Sequence, residues 1–115
     1  MGFIVEERER KGKVVIVELS GRLTMGDGSD SVEEFLQKLV AQGDRAVVLD
    51  MAGVPLMDSR GIKAIVYGLT SLRKRGGQLK LLSLTPRVRQ VLDYTRLLTV
   101  FEVFEDEEAA VKSFS

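Results

Sequence analysis

Ala46-Val47-Val48-Leu49-Asp50 runs through a loop, Met51 to Met57, into Asp58-Ser59-Arg60-Gly61-Ile62, and the fold turns on this stretch. The first five residues read as a short apolar strand with polar punctuation on both sides. The loop delivers Asp58 and Ser59, two strong helix N-cap types, to the start of a helix. Ile62, Ile65, Val66, Leu69 and Leu72 then form one apolar stripe at helical spacing. Arg73-Lys74-Arg75 and Gly76-Gly77 close the helix, with cations where the dipole favours them and a glycine stop. Strand, loop and amphipathic helix in this order make the unit from which an α/β domain is built.

The same alternation extends in both directions. Upstream, Phe3 to Glu9 and Val14 to Leu19 are predicted as strands joined by a turn at Lys11-Gly12-Lys13. Val14-Val15-Ile16-Val17 is a continuous β-branched run, which suits a strand buried on both faces. Gly21 to Gly28 is a loop of small and turn-forming residues. Ser31 and Glu34 have the spacing of a capping box, and Val32, Phe35, Leu36, Leu39 and Val40 give the helix that follows an apolar face ending at Gly43. Downstream, Gln78 to Leu82 is a strand, and Thr85-Pro86 opens a helix with Val88, Val91 and Leu92 facing inward. Phe101 to Phe104 is a last short strand or extended connection. Asp106-Glu107-Glu108 begins a C-terminal helix docked by Ala110, Val111 and Phe114. The expected architecture is one α/β domain over residues 1–115: a mixed, mostly parallel β-sheet of four to five strands packed with about four α-helices.

Composition narrows the function. The chain of 115 residues is 44% hydrophobic and 30% charged, the profile of a globular domain. Lys plus Arg and Asp plus Glu both number 17, so net charge draws it toward neither nucleic acid nor an anionic membrane. With no Cys and no His, thiolate and imidazole chemistry are absent, both as metal ligands and as general bases. Gly26-Asp27-Gly28 lacks the lysine and spacing of a phosphate loop. No apolar run approaches the ~20 residues of a membrane span. Neither a metal nor a cofactor is expected, a binding or signalling role outweighs an enzymatic one, and the default location is cytoplasmic.

Asp58-Ser59 admits two readings. Both residues can simply cap the helix. Alternatively, the serine hydroxyl at an exposed helix start is a phosphoacceptor: it has no histidine to make it a nucleophile, so an external enzyme must supply the chemistry. Gly61 is unusual in a first turn, where it costs about 1 kcal/mol relative to Ala, and implies close approach of another backbone or of a partner. Thr24, Ser29, Asp30 and Ser31 lie after the second strand; Ser31 reads mainly as a cap. Met25, Met51 and Met57 either fill gaps or form an adaptable apolar contact surface. The Arg73-Lys74-Arg75 cluster reads as dipole complement and solubility.

The strand Ala46–Asp50, the loop Val54-Pro55-Leu56-Met57 and the helix start Asp58-Ser59-Arg60-Gly61 resemble the signature of the STAS family, named for sulfate transporters and anti-sigma factor antagonists. Val14 to Gly21, Gly76 to Leu81 and Leu97 to Phe101 resemble further segments of it, so the likeness spans essentially the whole chain. The resemblance implies an anti-sigma factor antagonist working by partner switching. Unphosphorylated, it binds an anti-sigma factor that is also a serine kinase and so frees the sigma factor; phosphorylation at Ser59 dissociates it, and a PP2C-type phosphatase resets it. On that reading the partner contacts are Asp58, Ser59, Arg60, Gly61 and Met57, with Thr24 and Ser31 nearby, and the protein alone is a monomer or weak dimer. Arg60 stands where the family most often has Ser or Thr; it pairs with a phosphate on Ser59, tunes contact with the kinase, or is a solvated first-turn residue. The alternative within the same fold is a STAS scaffold or regulatory subunit of a stress-signalling or lipid-transport complex.

Overall fold

A computed structural model describes residues 2–115. The elements are β1 (Ile4–Lys11), β2 (Val14–Ser20), α1 (Ser29–Ala41), β3 (Ala46–Gly53), α2 (Ser59–Arg73), β4 (Gln78–Leu82), α3 (Pro86–Tyr94), β5 (Val103–Phe104) and α4 (Glu107–Lys112). They form one five-stranded sheet in the order β1-β2-β3-β4-β5. β1 runs antiparallel to β2, and the remaining pairings are parallel. The expected mixed sheet with four helices is the observed one.

β2 is buried on both faces, as its β-branched run implies. Val15, Val17 and Leu19 join a large core with Val47, Leu49 and Met51 of β3 and the apolar faces of α1 and α2. Val88 and Leu92 of α3 complete that core. Val14 and Ile16 face the opposite way, into a small cluster with Val48, Leu82 and Ala110 of α4. One side of the sheet is therefore thickly covered and the other only by the short α4.

Several boundaries differ from those read in the sequence. β1 extends to Lys11, which pairs with Val14, so the turn shrinks to Gly12-Lys13. Gly12 takes a positive φ of 64° there, which glycine adopts without strain. β3 continues three residues past Asp50, and β5 contracts to two residues, with Phe101 buried in the main core instead. The capping box at Ser31 is corrected. α1 begins at Ser29 with Gly28 at the N-cap and no side-chain cap, and Ser31 lies exposed inside the first turn. The Thr24 carbonyl accepts from the N–H groups of Asp27, Gly28 and Ser29 at 3.1, 3.1 and 3.3 Å, so the turn before the helix replaces the cap.

Packing also uses residues that a large-hydrophobe stripe overlooks. Gly68 and Ala64 are buried along α2, and a Cβ at Gly68 would meet Leu36 Cδ1 at 2.5 Å, so the small residues set how closely α1 and α2 approach. Lys80 of β4 is only 4% exposed. Its ammonium donates to the Ser113 carbonyl and Oγ at 3.1 and 2.8 Å and lies 4.3 Å from the Phe114 ring centroid. A buried ammonium with donors satisfied in this way pins the residues after α4 to the sheet.

Candidate functional site

The site is built where β2 and β3 end. After β2 and β3, the two loops run side by side through a parallel bridge between Leu23 and Met57. The Leu23 N–H donates to the Leu56 carbonyl at 3.1 Å, and the Asp58 N–H donates to the Leu23 carbonyl at 3.3 Å. Thr85 Oγ1 donates to the Val54 carbonyl at 2.6 Å, anchoring the second loop to the start of α3.

Asp58, not Ser59, is the N-cap of α2. Its Oδ1 accepts from the N–H groups of Arg60 and Gly61, both at 3.0 Å. Its Oδ2 reaches back across the fold to the Met25 N–H, also at 3.0 Å. One carboxylate therefore caps the helix and ties it to the loop after β2. The Met25 amide is the main reason that the Asp58 carboxyl is held below its ordinary value of 3.8; the Gly61 and Arg60 amides add to it, and partial burial opposes them.

The sign of the pH effect follows. A depressed folded pKa means that the Asp58 contribution is fully present above the unfolded value near 3.8 and is lost as pH falls through the folded one. The Asp58→Asn variant keeps a capping oxygen but loses the titrating charge. Its unfolding free energy is expected to decline less steeply than that of the wild type below about pH 4. Urea midpoints at pH 7, 4 and 3 check this, and parallel acid limbs would refute it.

Gly61 explains its own presence. A Cβ there would collide with the Leu23 carbonyl oxygen, with Met57 Cγ at 2.7 Å and with Leu23 Cγ at 2.9 Å. The close approach inferred from sequence is intramolecular. Met57 is 4% exposed and Met51 is fully buried. Met57 and Gly61, expected among the partner contacts, are instead buried supports of the corner, with the Leu23 segment packed over them. Met25 is the exception among the three methionines considered, at 67% exposed.

What remains at the surface is compact. Ser59 is the first residue of α2 and is exposed. Arg60 beside it is exposed too, with Nη2 3.7 Å from Asp30 Oδ1 on the first turn of α1. Ser31 follows Asp30 and faces solvent. Thr24 is half-buried, its hydroxyl donating to Asp27 Oδ2 at 3.0 Å. Thr24, Met25, Asp58, Ser59 and Arg60 thus share one end of the molecule through the Asp58 tie, with Ser31 at its margin. Spacing could not have revealed the Met25–Asp58 contact, which joins residues 33 apart. Among the described residues, no group of three or more His, Cys, Asp or Glu could hold a metal ion. No helix there is long and apolar enough to cross a membrane.

Ser29, at the base of this loop, is 2% exposed, and its hydroxyl has no hydrogen-bond partner among the described residues. Removing a desolvated, unpaired hydroxyl relieves its penalty. Ser29→Ala is accordingly expected to raise the unfolding free energy by about 1 kcal/mol. A loss of stability in urea denaturation would count against the assignment.

The pattern of the STAS domain matches residues 6–110. The chain belongs to the STAS family. Among relatives, BtrV of Bordetella bronchiseptica, named as an anti-sigma factor antagonist, is 33% identical over 86 residues, 75% of this chain and 74% of that protein. The anti-sigma F factor antagonist of Paenibacillus polymyxa is 26% identical over 112 residues, 96% and 94% of the two chains. In three dimensions, the crystal structure of an anti-sigma factor antagonist from Mycobacterium paratuberculosis aligns with a TM-score of 0.82 at 20% identity, over 97% of this chain and 93% of the other. This STAS domain therefore has the fold of single-domain relatives along nearly its whole length.

Proposed function

We propose that this STAS domain is an anti-sigma factor antagonist of a bacterial partner-switching pathway, with Ser59 as its phosphoacceptor. The observation that carries the reading is the exposed serine at the first position of α2, on a corner whose backbone is fixed from inside by Asp58 and Gly61. A kinase needs an accessible hydroxyl in a reproducible place, and the chain has no histidine to activate that hydroxyl for chemistry of its own. The names of the Bordetella and Paenibacillus relatives support the same reading.

In this mechanism the unphosphorylated surface, from Thr24 and Met25 across Ser59 and Arg60 to Ser31, binds a cytoplasmic anti-sigma factor that is also a serine kinase. Transfer of the γ-phosphoryl group of ATP to Ser59 Oγ ends the complex, and a PP2C-type phosphatase hydrolyses the ester. The antagonist itself catalyses nothing. The test is an affinity pull-down from native extract with wild type, Ser59→Ala and Ser59→Asp. Retention of a small ATP-binding kinase by the first two and its loss by the third supports partner switching. The same partners on all three would make Ser59 a structural residue and favour a scaffold subunit.

A further inference from the structure

Arg60 is the chemically distinctive residue of this corner. Among the described residues its guanidinium has one acidic contact, the 3.7 Å approach to Asp30, whose own side chain is 82% exposed. An exposed pair at that distance contributes little, about 0–1 kcal/mol. Asp58, two residues earlier in the chain, is not a competitor, because its oxygens are occupied by the Met25, Arg60 and Gly61 amides. Asp27 is likewise engaged, with the Thr24 hydroxyl at 3.0 Å and Arg22 at 3.9 Å. The guanidinium is thus weakly held, next in sequence to the proposed phosphoacceptor.

We propose that Arg60 is the intramolecular partner of a phosphoryl group on Ser59, and that phosphorylation draws its guanidinium away from Asp30. A phosphomonoester carries about −1.5 to −2 charges and three acceptor oxygens, and the planar guanidinium matches it with paired donors. A long, exposed contact to one carboxylate oxygen cannot compete with that geometry. Lys63, one turn further along α2, is the cation that shares a helix face with Ser59, whereas Arg60 must reach the phosphate by bending its longer side chain around the first turn. It is a point charge without the fork. The exchange leaves Asp30 without its cation, so the negative charge of the modification spreads from α2 to the first turn of α1.

The inference rests on Ser59 being the modified residue, and its test is independent of any kinase. Phosphoserine is placed at position 59 during translation, in the wild-type background and with Arg60→Gln or Lys63→Gln. The second phosphate ionisation is followed by phosphorus NMR, and the Arg60 Nε–Hε resonance by nitrogen-edited NMR. The expected result is an Arg60 resonance shifted and slowed in exchange by the phosphate. The second ionisation should also move up by about half a pH unit or more in Arg60→Gln, but not in Lys63→Gln. Equal titrations in wild type and Arg60→Gln, or a shift produced only by Lys63→Gln, overturn it. Failure of the antagonist reading is distinguishable, since it appears as undiminished partner binding by the phosphorylated protein whatever the titrations show.

Discussion

Gly61→Ala is expected to lower the unfolding free energy by about 2–3 kcal/mol, a large effect for one methyl group. Most overpacked positions relieve a clash by moving a flexible side chain. Here the first obstacle is the Leu23 carbonyl oxygen, and behind it stand Met57 Cγ and Leu23 Cγ. That carbonyl is not free to move, because it accepts the Asp58 N–H, and Leu23 is paired with Met57 in the parallel bridge. Relief must therefore come from shifting the whole loop after β2 off α2, which also strains the Asp58–Met25 bond. Urea denaturation followed by circular dichroism measures the loss, with Thr70→Ala on the exposed face of the same helix as the control. Amide exchange at Met25 should accelerate in the variant, since its acceptor lies on the displaced side. An unchanged midpoint would mean that the corner is softer than its hydrogen bonds imply.

The contrast between Gly61 and Ser31 shows where sequence reasoning reached and where it stopped. Periodicity is most informative where an element buries a face: the β-branched run of β2 and the 3.6-residue stripes of α1 and α2 have one stable arrangement. Gly61 is legible because glycine in a first turn costs stability without a local reason, so close approach of another backbone or of a partner is implied, though not which. Ser31 misled because a capping box is a local pattern, while α1 is started by the Thr24 carbonyl gathering three N–H groups from outside the motif. Lys80 and the Met25–Asp58 tie left no signal, as each depends on segments about 33 residues apart meeting in space. Small residues such as Ala64 and Gly68 were passed over since a stripe drawn from large hydrophobes cannot register a contact made by the absence of a side chain. Ser59 and Arg60, which the sequence offers as partner-facing, are exposed in the fold. Of the two sequence readings of Met57, gap filler or contact surface, burial favours the first, and a methionine beside a functional motif looks the same in either case.

Phosphoserine at position 59 is expected to weaken the complex with an anti-sigma partner at least several hundredfold, about 3–4 kcal/mol. The charge is added on a corner that cannot absorb it. Asp58 is already ionised and occupied with amides, and the Arg60 guanidinium can neutralise the phosphate only by leaving Asp30 bare. Wherever Arg60 goes, the surface that must be desolvated in the complex carries about −1.5 to −2 additional charges. Refolding is not required, because the Asp58 tie and the Leu23–Met57 bridge hold the backbone from within. Calorimetric titration of the purified partner with phosphorylated protein, unphosphorylated protein and Ser59→Ala measures the effect. Ser59→Ala should bind within a few-fold of wild type, since the α2 cap is Asp58 and the serine hydroxyl is not needed for the helix to start. Amide shifts on phosphorylation should be confined to the loop after β2 and the first turns of α1 and α2. Affinity that survives the phosphate would remove the switch from this surface, and the exposed serine would then be no more than the first residue of a helix.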